Sequence, residues 1–147
     1  MNRISQKKLI ISYLITSATI FIVSGIMQFS GTFNGVTHEI FGSSVALAAA
    51  SQLMIVLALN FLLHAVFYFG GFNSSPITKG VGIGSALGIF YFAIGLFVFQ
   101  AHSIDSAPIG EVAVSLGGNV VEYSLGGILT AVISVSDIHK WGLLRAF

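Results

Sequence analysis

Four stretches of this sequence, 9–29, 45–69, 81–101 and 112–135, stay apolar over the length an α-helix needs to cross a bilayer. A hydrocarbon core about 30 Å thick takes roughly 20 helical residues. Lipid supplies no partner for an open backbone N–H or C=O, so a segment crossing it must satisfy its backbone internally, as a helix does. Composition agrees: of 147 residues, 55% are hydrophobic and only 7% charged, with mean hydropathy +0.95. Soluble proteins carry about a quarter charged residues. The expected fold is all-α: a polytopic membrane protein, a bundle of four transmembrane helices, using residues 1–147 as a single integral membrane domain.

The first apolar run follows Arg3, Lys7 and Lys8, as a secretory signal would. It exceeds the 7–15 apolar residues usual there, and no small-residue cleavage site follows it, so it reads as a retained span. The six basic residues divide consistently. Arg3, Lys7 and Lys8 precede the first span, Lys79 lies between the second and third, and Lys140 and Arg145 follow the fourth. The two opposite connections contain Glu39, Asp105 and Glu111 and no Lys or Arg. The excess of Lys and Arg on cytoplasmic segments then puts both termini in the cytoplasm. The last residues, with Lys140, Trp141 and Arg145, suit the inner membrane interface.

Several function classes lose their basis at once. Cysteine is absent, which removes disulfides, thiolate chemistry and cysteine-held metals. The net charge of +1 comes with no basic cluster of the kind that binds nucleic acid. His38 and His102, with Glu39, Asp105 and Glu111, offer metal-ligand types on one side of the membrane, but their spacing matches no metal site and none is assigned. No paired carboxylates occur within the spans, no nucleophile has an evident base, and no H-E-x-x-H is present, so the chain reads as non-enzymatic.

What remains is polarity inside the spans. In the second, Gln52, Asn60, His64 and Tyr68 fall at multiples of four and form one slanted ridge. In the third, Gly80, Gly84 and Gly88 make a doubled small-xxx-small pattern, a surface on which helix backbones touch, with Tyr91 within about 80° of the same face. The fourth carries Asn119, Glu122, Gly126 and Thr130 on a face about 80° wide. The serines and threonines of the first span read as bonding to carbonyls one turn back on their own helix.

Glu122 is the residue to explain. A charged carboxylate at mid-membrane costs about 2.5–3.5 kcal/mol on insertion scales, and no span carries a Lys or Arg to offset it. The simplest state is a neutral acid donating one hydrogen bond to Asn60, Tyr91 or a carbonyl. Three functions can use it. The first is helix association, as a homo-oligomer or an accessory subunit of a larger membrane complex, with the bilayer and membrane subunits as the only partners. The second is a proton- or cation-coupled channel or transporter using Glu122, with His64 as relay. The third is an electron-transfer subunit holding haem between His64 and His139 or between His38 and His102, although the sequence requires no cofactor. Association is the most economical for so short a chain. Topology is checked by reporter fusions at Lys79 and at the C-terminus: both should report cytoplasmic, and an exterior signal at either would refute the orientation.

Overall fold

The computed structural model describes residues 6–29, 45–71, 74–99 and 109–136, and among them it contains four α-helices and no strand. These are α1 Gln6–Phe29, α2 Val45–Phe69, α3 Pro76–Phe99 and α4 Ile109–Val135. Each is long and apolar enough to span a membrane, as in a multi-pass membrane protein. The expected segments are therefore found, with two shifts. The third helix starts at Pro76 and not near residue 81, because Ser75 caps it: Ser75 Oγ accepts the Thr78 N–H at 3.2 Å, and proline suits a first helical position where no donor is needed. Lys79, expected in the connection, thus lies in the first turn of α3. The first helix likewise starts at Gln6, taking in Lys7 and Lys8. The loops carrying His38, Glu39, His102 and Asp105, and the tail carrying His139, Lys140, Trp141 and Arg145, lie outside the described residues.

Each helix packs antiparallel on its neighbour in the chain, and α4 returns to pack on α1, closing a ring. The contact between α3 and α4 is by far the most extensive, and glycine is the reason. Gly80 faces the Gly127 carbonyl, Gly84 the Tyr123 carbonyl, and Gly88 the Asn119 carbonyl, one glycine per turn. A methyl group added at Gly88 would sit 2.5 Å from Asn119 O, and those added at Gly80, Gly84 and Gly127 would be closer still to the opposing backbone. The two backbones meet directly. With lipid outside, helices gain little from hiding apolar surface, and close van der Waals contact is what holds such a pair.

Polarity is inverted relative to a soluble bundle. Ser12, Thr16, Asn60 and Thr130 are completely buried, while Met54 is 70% and Phe61 68% exposed on the outside. One end of the bundle is closed by lysines. Lys8 Nζ donates to the carbonyls of Ser134 (2.6 Å) and Ser136 (2.8 Å), and Lys79 Nζ donates to Gly70 O (2.8 Å), so two cations cap the carbonyl ends of α4 and α2. Those carbonyls lack helical partners and carry the negative end of the helix dipole.

The seam predicts opposite outcomes for two neighbouring glycines. Gly84→Ala drives a methyl into the Tyr123 carbonyl and should destabilise the protein by about 1–3 kcal/mol. Gly82→Ala meets nothing within 4 Å and should be neutral or slightly stabilising, since alanine is the better helix former. Thermal unfolding in detergent distinguishes them, and equal effects would refute the backbone contact.

Candidate functional site

Three helices present side chains to the interior at every fourth residue. On α1 the series is Lys8, Ser12, Thr16, Ile20 and Ser24; on α2, Gln52, Val56, Asn60, His64 and Tyr68; on α4, Glu122, Gly126, Thr130 and Ser134. A spacing of four advances about 6 Å along a helix while drifting only slowly around it, so each series is a ridge. Because the helices run antiparallel, the ridges cross-link in layers.

The layer farthest from the lysines is centred on Glu122, which is 3% exposed and lies at the middle of α4. Tyr91 donates its hydroxyl to Gln52 Oε1 at 3.4 Å. The Gln52 amide donates through Nε2 to Ser24 Oγ at 2.6 Å. Glu122 lies buried close to Ser24. Hydrogen bonds thus point in one direction, from Tyr91 through Gln52 to Ser24. The Tyr91 and Tyr123 rings meet edge to face at 5.7 Å. Two buried polar atoms here, Glu122 Oε1 and the Tyr123 hydroxyl, have no hydrogen-bond partner among the described residues. A buried polar atom left open is costly, and native structures contain few.

The next layer is apolar. Ile20 (1% exposed) and Val56 (0%) fill it, and the Ile20 methyl packs onto Gly126, where an added Cβ would lie 2.6 Å from Ile20 Cδ1. Beyond it polarity resumes. Asn60 Nδ2 donates to Ser17 Oγ at 2.6 Å and to Tyr13 O at 3.0 Å. Thr130 donates to Gly126 O at 3.0 Å, which leaves its oxygen as the acceptor for Thr16 at 3.4 Å. His64 lies one turn further. Its Nδ1 is 2.9 Å from the Asn60 carbonyl, which can only accept, so Nδ1 carries the proton and Nε2 accepts from the Ser12 hydroxyl at 3.0 Å. Both ring nitrogens thus have hydrogen-bond partners within the bundle.

The sequence expectations are met unevenly. Glu122 and Tyr91 come together, and Asn119 is buried one turn away, its carbonyl against Gly88. Asn60 and His64 do not bond to Glu122; they bond to α1 across the apolar layer. Gln52, eight residues earlier on the same ridge, takes the place expected for Asn60. The larger correction concerns α1. Ser12, Ser17 and Ser24 hydrogen-bond across helices, and among the α1 hydroxyls Thr19 makes the expected bond back to its own helix, to Ile15 O at 2.9 Å. The spacing of Ser12, Thr16 and Ser24 by multiples of four was the available signal. Among the described residues no group of three or more His, Asp or Glu could hold a metal ion. No family model matches the chain, and neither the curated proteins nor the solved structures contain a significant match.

Proposed function

We propose that this protein binds a proton on Glu122 and passes it through its own four-helix interior, as a small proton-coupled channel or transporter. The carrying observation is the carboxyl itself: a buried acid at the middle of a spanning helix, beside a directed hydrogen-bond chain that ends at Ser24, with Oε1 unpartnered among the described residues. Ionisable groups inside membrane spans mark ion and proton pathways far more often than they mark packing contacts.

Association was the more economical expectation, and it rested on the short chain and its single acidic site within the spans. Transfer ranks above it because the carboxyl is buried in the interior of the bundle with one oxygen open among the described residues. A proton suits the site better than a metal cation, because the layer offers one formal charge and mostly hydroxyl groups, whereas hard cations collect six or more oxygens in a fixed geometry. The layer of Ile20, Val56 and Gly126 divides the core into two polar halves and is the barrier any transfer must cross. Gly126 supplies the space that the Ile20 side chain fills.

Proton uptake into proteoliposomes under an imposed potential tests the proposal. Glu122→Gln keeps a hydrogen-bonding side chain of the same shape but cannot release a proton, and it should reduce uptake to that of empty vesicles while remaining folded. Uptake equal to that of the wild-type protein would exclude Glu122 as the carrier.

A further inference from the structure

On the outside of the bundle, α2 and α3 leave between them a groove of about 540 Å³. Its walls are apolar, chiefly Leu62 and Val66 from α2 and Ile83, Leu87 and Phe90 from α3. Its floor is opened by Gly82 and Ala86, small residues one turn apart on α3. At the lysine end the lining changes character, to Ser74, Thr78 and Lys79. The Lys79 ammonium is fixed there by its bond to Gly70 O and by the face of the Phe67 ring, 5.2 Å away. Among the described residues that line the groove, Lys79 is the charged one.

We infer that this groove is a binding site for one anionic phospholipid, with the phosphate at Lys79, Thr78 and Ser74 and an acyl chain laid along α3 toward Phe90. Two observations select this occupant. The polar and apolar parts lie in the order a lipid requires, the cation at the end of a spanning helix where headgroups sit. The length also matches: the eleven helical steps from Lys79 to Phe90 rise about 16 Å, close to half of a hydrocarbon core about 30 Å thick, which is one leaflet. A lysine near an anionic membrane surface contributes attraction equivalent to about a fivefold preference for a charged headgroup. Thr78 and Ser74 add hydroxyl donors suited to phosphate oxygens.

The test uses the full chain in nanodiscs of equal parts phosphatidylglycerol and phosphatidylcholine, released and weighed by native mass spectrometry. The wild-type protein should retain one lipid, with phosphatidylglycerol favoured about fivefold. Lys79→Gln keeps a donor for Gly70 O but removes the charge, so a lipid should remain and the preference disappear. Gly82→Leu fills the groove without disturbing the fold, because a Cβ there meets nothing within 4 Å, and should abolish retention. Equal retention of the two lipids by the wild-type protein, or undiminished retention by Gly82→Leu, would overturn the assignment. So would a dimer that Gly82→Leu dissolves, since the groove would then hold a second copy of the chain.

Discussion

The direct contact of two helix backbones, α3 against α4, is the constraint on which the rest of this protein depends. Gly80, Gly84 and Gly88 bring the α3 backbone against the carbonyls of Gly127, Tyr123 and Asn119, one contact per turn over three turns. That register fixes the rotation of α4. With Gly127 and Tyr123 turned toward α3, Glu122, Gly126 and Thr130 are aimed at the interior, where α1 and α2 meet them. Tyr91, one turn beyond Gly88 on α3 and flanking the seam, reaches Gln52 and the Tyr123 ring from the same arrangement. Shifting the seam by one residue would turn the carboxyl toward lipid.

The interior that results is held by polar contacts because apolar ones have little to contribute. Lipid and leucine are alike to one another, so hiding Ile or Phe inside a membrane bundle yields no solvent-driven gain. Hydrogen bonds between membrane helices are individually modest, about 0.6 kcal/mol on average and up to about 1.7. Asn60, Gln52, His64 and Thr130 therefore matter mainly together, as cross-links that fix which faces of α1, α2 and α4 meet. The apolar layer at Ile20 and Val56 is the exception within this polar column, and it separates Glu122 from the histidine. A core whose polarity is interrupted at one level holds two compartments, and a protein that moves a proton needs such a division to avoid an open leak.

Much of the fold was legible in the sequence. Four runs of membrane length, separated by short polar stretches, leave few alternatives, and glycine every fourth residue announces a close helix pair. The ridge on α2 and the seam on α4 were also readable, because Asn, His and Glu stand out in an apolar run. Two features were less visible. Ser12, Thr16, Ser17 and Ser24 look unremarkable on α1, since a hydroxyl in a membrane helix can satisfy itself on its own backbone; only the partners on α2 and α4 show that three of the serines do not. The level of each residue in the bilayer was the other difficulty. Centring α2 and α4 on their own midpoints puts Asn60 beside Glu122, whereas the packed helices are staggered and bring Gln52 there. Sequence spacing gives the face of a helix reliably and its axial offset poorly, because offset is decided by neighbours.

The α3–α4 seam can be tested in isolation, since the chain contains no cysteine of its own. Ser85 and Ser124 flank the glycine contacts, with their hydroxyl oxygens 2.8 Å apart. Replacing both with cysteine places two sulfurs within reach of a disulfide. Mild oxidation in membranes should then give one dominant product, a cross-link inside a single chain that migrates as a monomer, and should do so at any protein density in the bilayer. A covalent dimer as the main product, or no cross-link at all, would contradict the account, because the glycine seam would then not be closed within one molecule.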